Sequence, residues 1–205
     1  MALDLLGKIL VHKAAAGETA GRIVETEAYL EGDPASHSCR GKTPRSAIMW
    51  GRPGRAYLYL NYGMYYCFNA VTEPEGKAGA VLVRALEPTR GIALMQKRRQ
   101  GNDEGNLANG PGKSTHALGI GKDENGANLT RGKLVICDEN DRAGEAVIAV
   151  TGRIGISQAN EAPLRFIIKD NPFVSPHRRL EVFFEGTKEQ IKTAFESGRL
   201  AIPGR

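Results

Sequence analysis

Glu25 and Glu27 are the first residues of the chain whose types and spacing suit chemistry. One residue separates them in a stretch that alternates like a β-strand, so both carboxylates lie on one face, about 6.6 Å apart along the backbone. Repulsion and burial in such a pair raise one pKa, which lets that group act as an acid or base near neutral pH. Tyr29 shares the face and places a ring beside Glu27. The alternative is a solvated polar strand face without chemistry.

The aromatic and basic residues are concentrated in one segment. All six tyrosines lie between Tyr29 and Tyr66, and residues 34–72 contain five basic residues and no acidic one. The rest of the chain has equal numbers of basic and acidic residues, so this segment carries the whole net charge of +5. Flat rings beside cations suit nucleic acid, which offers both π faces and phosphates. A core rich in tyrosine is the simpler alternative.

Four further residues of this region are candidates for contacts with nucleic acid. His37 follows a turn-rich segment that could fold back towards Tyr29. Tyr59 lies on a predicted strand, and Asn69 lies on the returning strand, where a buried amide needs partners that a base edge could supply. Tyr62 occupies the turn between the strands, where an exposed ring is unfavourable unless something covers it. One use for such a ring is as a wedge in a base stack.

The elements that must position these residues are mostly strands. Alternation and β-branched residues predict strands at residues 23–29, 56–60, 65–71, 80–86, 133–137, 146–150 and 164–168. Helices are predicted at residues 3–10, at residues 92–99, after Pro111, and after Thr187, which forms a capping box with Gln190 and precedes a stop at Gly198. Residues 101–110 and 121–128 are predicted loops.

These elements indicate a mixed α/β (α+β) fold. We expect one domain with a curved, mostly antiparallel sheet and peripheral helices, because hairpins and short connections dominate. The domain is expected over residues 1–180, with residues 181–205 as a C-terminal extension whose helix packs on it. Arg178 and Arg179 either pack on the domain or add a contact to a nucleic-acid backbone.

Composition excludes several classes of protein. The apolar runs are too short to cross a bilayer, and Asp4 and Lys8 interrupt the apolar start, which argues against export. Three cysteines are widely spaced without a CxxC pair, and four histidines lack ligand spacing. We therefore expect no metal and no cofactor. The expected location is the cytoplasm, near the nucleoid in a bacterium, or the nucleus in a eukaryote.

Several motifs in a consistent order resemble the alkyladenine (3-methyladenine, or methylpurine) DNA glycosylase family. They are RIVETEAY at 22–29, His37, TPR at 43–45, YLYLNYGMY at 57–65, Cys67, Asn69, LVRALEP at 82–88, GPGK at 110–113, PLRF at 163–166 and NPFVS at 171–175. The resemblance runs from about residue 5 to about residue 175. Asn61 departs from the apolar residue that some relatives carry before the wedge.

The resemblance implies a site and a reaction. Glu27 matches the general base that activates water against C1′ of a damaged nucleotide. A flipped base would lie between Tyr29 on one side and His37 and Tyr59 on the other, and Asn69 would disfavour guanine. The remaining matches are the wedge Tyr62, an arginine at the flipped nucleotide, Arg84, and four positions near the wedge or the DNA backbone: Arg45, Met64, Tyr65 and Lys113.

The implied enzyme is a monofunctional, monomeric glycosylase of base excision repair that acts on double-stranded DNA. It would release 3-methyladenine, hypoxanthine, ethenoadenine or 7-methylguanine and leave an abasic site. Three other classes compete with it. A purely structural protein would explain neither the localised charge nor the tyrosine at the turn. A nucleic-acid binder without activity would not need Glu27. A carbohydrate glycosidase could use Glu25 and Glu27, but adjacent residues on one face cannot flank a scissile bond. For Lys113, a helix start can contact phosphate or only water.

Overall fold

A computed structural model describes residues 1–101, 103–139, 146–176 and 181–202. These residues form one mixed α/β domain around a nine-stranded sheet. Its main path runs β3-β4-β5-β2-β8-β7-β9, while β1 pairs with β2 and β6. The pairings are antiparallel. The predicted fold class is therefore confirmed.

The strands are β1 Ile9–Ala14, β2 Gly17–Leu30, β3 Ala56–Asn61, β4 Tyr65–Val71, β5 Gly79–Arg90, β6 Leu134–Cys137, β7 Ile148–Thr151, β8 Arg165–Ile168 and β9 Val182–Gly186. The α-helices are α1 Ala2–Leu5, α2 Ile92–Arg98, α3 Glu104–Leu107, α4 Pro111–Leu118 and α5 Lys188–Glu196. Short 3-10 helices cover Ala47–Trp50 and Lys122–Glu124. No helix among the described residues is long and apolar enough to cross a membrane.

A β-bulge in β2 decides which face carries the two glutamates. The register against β5 shifts between Ile23, which pairs with Leu86, and Glu25, which pairs with Ala85. Ile23 belongs to the main hydrophobic core, and beyond the bulge it is Ala28 that packs against that core. The extra residue reverses the alternation of β2, so odd-numbered residues face the core before the bulge and even-numbered residues face it afterwards. Glu25 and Glu27 are turned away from the main core as a result.

A glycine lets α4 lie close to β4. A Cβ on Gly112 would come within 2.7 Å of the Cβ of Tyr65, so only glycine permits this approach. The Thr115 hydroxyl of α4 donates to the carbonyl oxygen of Tyr66 at 2.7 Å. The start of α4 is thereby fixed beside the β3–β4 hairpin.

The predicted helix at residues 3–10 is wrong beyond its first turn. Helix α1 ends at Leu5, Gly7 has a positive φ of 86°, and Ile9 begins a strand. Ile9, Leu10 and Val11 are all buried, because they have neighbours on both faces of the sheet. Such an unbroken apolar run does not distinguish a buried strand from a helix.

One further strand and one α-helix were not predicted. Strand β9 pairs with β7 at the end of the path. Helix α3 lies within residues 101–110, where a loop was predicted, and Asp103 caps it by accepting from the backbone N–H of Asn106. Residues 121–128 contain one 3-10 turn.

The C-terminal helix agrees with its sequence signals. Thr187 and Gln190 form the predicted capping box, and Gly198 has a positive φ of 75°. Ile191 and Ala194 are fully buried in the main core. Arg178 and Arg179 lie outside the described residues.

Candidate active site

A cavity of about 250 Å³ lies between the end of β2, the β3–β4 hairpin and the loop after β7. Its lining is mostly aromatic and polar. Its lining includes Tyr29, His37, Tyr57, Tyr59, Tyr62, Cys67, Asn69, Arg84 and Ile154. Four of the five predicted catalytic and base-binding residues therefore line one space, and the fifth, Glu27, lies directly beneath it.

The Glu27 carboxylate is buried and held by three donors. Its Oε2 accepts from the Tyr29 hydroxyl at 2.8 Å and from Arg84 Nη1 at 3.2 Å. Its Oε1 accepts from the backbone N–H of Ile154 at 2.9 Å. All three donor residues line the cavity, so the carboxylate lies one layer below the cavity surface. Burial and the neighbouring Glu27 raise the pKa of Tyr29, which keeps its hydroxyl a donor.

Glu25 has different partners and a structural position. Its Oε1 accepts from Arg165 Nε at 2.7 Å and from Arg84 Nε at 3.1 Å, and its Oε2 accepts from the Ser175 N–H at 2.7 Å. Burial alone would raise its pKa, but these two guanidinium groups and Ser175 hold the pKa of Glu25 below its ordinary value.

The alternative of a solvated strand face is wrong, since Glu25 and Glu27 are both 0% exposed. Repulsion does not raise the pKa of Glu25, because Arg84 bridges the two carboxylates. Burial lowers the pKa of Arg84, yet the charges of Glu27 and Glu25 outweigh that effect and raise it. Arg84 stays cationic between them.

Three rings, those of His37, Tyr57 and Tyr59, form a cluster in the cavity wall. The Nδ1 atom of His37 lies 2.8 Å from the Tyr57 hydroxyl, and the His37 ring meets Tyr59 edge-on with centroids 4.5 Å apart. The Arg45 guanidinium lies over the Tyr59 ring, 5.0 Å from its centroid. Partial burial and the charge of Arg45 lower the pKa of His37, which favours a neutral imidazole.

Asn69 and Cys67 line the cavity from β4. The Asn69 side chain is buried, and its Nδ2 donates to the carbonyl oxygen of Tyr57 at 3.1 Å. Cys67 is the strand partner of Tyr59 in the β3–β4 pair. Burial raises the pKa of the Cys67 thiol, so it stays protonated.

The β3–β4 hairpin ends in an exposed apolar tip beside the cavity. Tyr62 is 84% exposed, Met64 66%, Tyr65 47% and Leu60 44%. Tyr62 and Gly63 have φ values of 50° and 68°, and the Met64 N–H donates to the Asn61 carbonyl at 3.1 Å. Left-handed backbone is strained for a tyrosine, and such strain is concentrated at functional positions.

The last predicted residue, Lys113, lies on α4. Its Nζ donates to Asn109 Oδ1 at 2.7 Å, and partial burial and the charge of Arg99 lower its pKa. It does not line the cavity, whereas the neighbouring Pro111 does.

Comparison with known proteins decides the family. The family model for methylpurine-DNA glycosylase matches residues 1–172. The chain belongs to this family. A relative from Carboxydothermus hydrogenoformans is 47% identical over 175 residues, covering 85% of this chain and 92% of the relative. One from Methanoculleus marisnigri is 50% identical over 178 residues with the same coverage. Both are named "Putative 3-methyladenine DNA glycosylase".

The resemblance noted in the sequence is thereby confirmed. This DNA glycosylase is a hydrolase that acts on N-glycosyl bonds, its substrate is DNA, and its role is DNA repair.

Two residues at the glycosylase site were missed by sequence reasoning. Ile154 contacts Glu27 through its backbone N–H, which any residue type could supply. Arg153 is buried, and its guanidinium lies over the Tyr29 ring, 4.8 Å from the centroid. Both lie more than 120 residues from Glu27, in a segment for which no motif was recognised. No signal in a single sequence could have found Ile154.

Proposed function

We propose that this protein flips damaged purines from duplex DNA into the cavity and hydrolyses the N-glycosidic bond with water activated by Glu27. The lesions proposed are 3-methyladenine, hypoxanthine, ethenoadenine and 7-methylguanine. The observation that carries this proposal is the Glu27 carboxylate, held by Tyr29, Arg84 and Ile154 directly below an aromatic cavity.

The arrangement of donors suits a general base. A carboxylate offers about four acceptor positions, and the three donors occupy three of them. A water on the remaining position would be oriented towards C1′. As the water oxygen bonds to C1′, the bond from C1′ to the base nitrogen breaks, its electron pair leaves with the base, and the water proton goes to Glu27. The buried negative charge also stabilises the positive charge that develops on the sugar.

The rings of the cavity suit a flat purine. Tyr29 would stack on one side, with His37 and Tyr59 on the other. Alkylation at N3 or N7 makes the purine cationic, which improves the leaving group and strengthens its interaction with electron-rich rings. Neutral lesions leave less readily and depend more on hydrogen bonds to the base. The Asn69 amide at the cavity wall would crowd the exocyclic amine of guanine.

The exposed tip suits insertion into the duplex. Tyr62 would fill the space of the flipped nucleotide, with Met64 and Tyr65 beside it. Flipping costs a few kcal/mol, and least for damaged or mispaired bases, so selection begins before chemistry. Arg45 and Lys113 would contact the DNA backbone, and such contacts make binding depend on salt.

The lining of the cavity supports a monofunctional reaction. None of the described residues that line it is a lysine. A Schiff base to the sugar therefore has no nucleophile there, and water is the attacking group. The product is an abasic site in an intact strand. We propose that the protein acts as a monomer, because a single chain supplies every residue of this site.

The test is single-turnover excision on duplex oligonucleotides that carry hypoxanthine, ethenoadenine or 3-methyladenine, with abasic sites scored by alkaline cleavage. Wild-type protein is compared with Glu27→Gln and with Glu18→Gln, an exposed glutamate on the same strand. We expect excision by the wild type and Glu18→Gln, and loss in Glu27→Gln with DNA binding retained.

The same assay separates the competing classes. No excision of any lesion, despite salt-dependent DNA binding, would identify a binding protein without this activity. A carbohydrate glycosidase is disfavoured by geometry as well as by family, since Glu25 and Glu27 contact the same Arg84 and do not face each other across a cleft.

A further inference from the structure

Arg153 is a buried cation next to the site, and the proposed reaction gives it no role. Its Nη1 donates to the carbonyl oxygen of Ala28 at 3.0 Å, and its Nη2 to that of Ala159 at 3.2 Å. Both nitrogens also bind Asp33, with Nη2 at 2.9 Å from Oδ1. A bidentate pair of this kind fixes the plane and position of the guanidinium group.

That guanidinium lies against Tyr29 on the protein side of the ring. It is 4.8 Å from the ring centroid, and Arg153 does not line the cavity, whereas Tyr29 does. The two faces of Tyr29 thus meet different neighbours. One face meets a fixed cation, and the other meets the space that the base would occupy.

The Arg153–Asp33 ion pair links Tyr29 to the segment that carries His37. Asp33 also accepts from the Ala35 N–H at 3.0 Å, and its carbonyl accepts from the Ser36 N–H at 2.9 Å, so it organises the turn that leads to His37. Arg153 immediately precedes Ile154, whose N–H binds Glu27. One ion pair therefore fixes Tyr29, the approach to His37 and one donor to the carboxylate.

We propose that the Arg153–Asp33 pair positions Tyr29 against the damaged base and sets the preference of the site between cationic and neutral purine lesions. This inference rests on the proposed function, because it requires a base stacked on Tyr29. Arg153 and Asp33 are positioning residues, since neither touches the base.

The charges of Arg153 and Asp33 set the direction of the preference between cationic and neutral lesions. A cation behind an aromatic ring draws π density from the opposite face and repels a second cation there. Asp33 neutralises Arg153, so the paired state tolerates an alkylated, cationic purine. Without the Asp33 charge, Arg153 would disfavour cationic lesions. Without the Arg153 charge, Asp33 would favour them.

The experiment measures single-turnover excision of 3-methyladenine, which is cationic, and hypoxanthine, which is neutral, by the same enzyme preparation. The ratio of the two rates is the readout, because the fraction of correctly folded protein cancels from it. Variants are Asp33→Asn, Arg153→Gln and Arg153→Lys. Arg90→Gln, which breaks the exposed pair with Glu139, is the control.

We expect the cationic-to-neutral ratio to fall by about fivefold in Asp33→Asn and to rise by about fivefold in Arg153→Gln, as a cation–π interaction of ordinary strength implies. Arg153→Lys should keep the ratio while lowering both rates, since it keeps the charge but loses the planar fork. Arg90→Gln should change neither.

Equal losses on both lesions in Asp33→Asn and Arg153→Gln would overturn the inference and leave a purely structural pair. That result is distinct from failure of the proposed function, in which the wild type would excise neither lesion. Failure of the proposed function would overturn the inference as well.

Discussion

The floor of the cavity and the tip of the β3–β4 hairpin are adjacent, yet they are built in opposite ways. Glu27 is fully buried and held by three donors on three different segments. Tyr62 is 84% exposed and sits in strained left-handed backbone. One region is fixed by many contacts, and the other presents exposed apolar side chains.

This difference fits two different tasks. A general base must keep its orientation while charge develops, so its position is set before the substrate arrives. A wedge gains its contacts only after the duplex opens, so it must be exposed beforehand. Burial therefore marks the residue proposed for the chemistry, and exposure marks the residues proposed to enter the DNA.

The largest effect is expected when the buried network loses a charge. Glu25→Gln leaves Arg165 and Arg84 with one carboxylate fewer at a site without water exposure. Removing one partner of a buried ion pair costs about 3–5 kcal/mol. Urea unfolding should show this loss. The matched control is Glu75→Gln, whose exposed pair with Arg52 should be worth at most about 1 kcal/mol. If Glu25→Gln and Glu75→Gln lost the same small amount of unfolding free energy, the ion pairs of Glu25 would not stabilise the region beneath the cavity.

The second-largest effect is expected for Tyr62 at the hairpin tip, where loss of the ring should lower excision without lowering stability. Tyr62→Gly removes both the ring and the backbone strain, which costs on the order of 1–2 kcal/mol in a non-glycine residue. Excision should fall at least tenfold, while the free energy of unfolding stays the same or rises. Tyr62→Phe keeps the ring and should keep excision. A loss of stability in Tyr62→Gly would contradict a strained tip.

The buried network should also make stability depend on pH. The folded-state pKa of Glu25 lies below its ordinary value of 4.5, so the unfolded chain binds its proton first on acidification. The stabilisation is complete above about pH 4.5 and is lost as pH falls through the folded-state pKa. Unfolding measured between about pH 6 and pH 3 should show this decline. Glu25→Gln should lack that component, so its deficit relative to the wild type should shrink in acid.

The smallest effect is expected for Arg45, which lies over the Tyr59 ring. Arg45→Ala should weaken DNA binding and reduce the slope of log K against log salt by about 0.9, the value for one phosphate contact. Excision at saturating DNA should change little. Arg52→Ala is the control within the same basic segment, because Arg52 pairs with the exposed Glu75, whereas Arg45 lies over the Tyr59 ring of the cavity wall. An equal change of slope in both variants would show that Arg45 acts only through net charge.

Part of the sheet could be predicted because aromatic residues are common in strands and a tight turn joins two such segments, as at β3 and β4. Strand β1 could not, because Ile9, Leu10 and Val11 are buried on both faces and lose the alternation. The bulge before Glu25 also leaves no pattern, although it decides which face the glutamates take.

The candidate site was predicted where side-chain chemistry is concentrated in one segment. Glu27, Tyr29 and Tyr59 drew attention by type and spacing alone. Arg84 came only from the family resemblance, since an isolated arginine on a strand carries no pattern. Arg153 and Ile154 act across 125 and 127 residues of chain, and such separations are set by the fold.

The most direct measurement of the central claim places a fluorescent 2-aminopurine beside a hypoxanthine and follows unstacking and excision in one reaction. For Glu27→Gln we predict normal unstacking and excision slowed by about 10² to 10⁴, the usual contribution of a general base. Tyr62→Gly should lose the unstacked state. If Glu27→Gln excised hypoxanthine at the wild-type rate, the buried carboxylate would not be the base, and the account would be wrong.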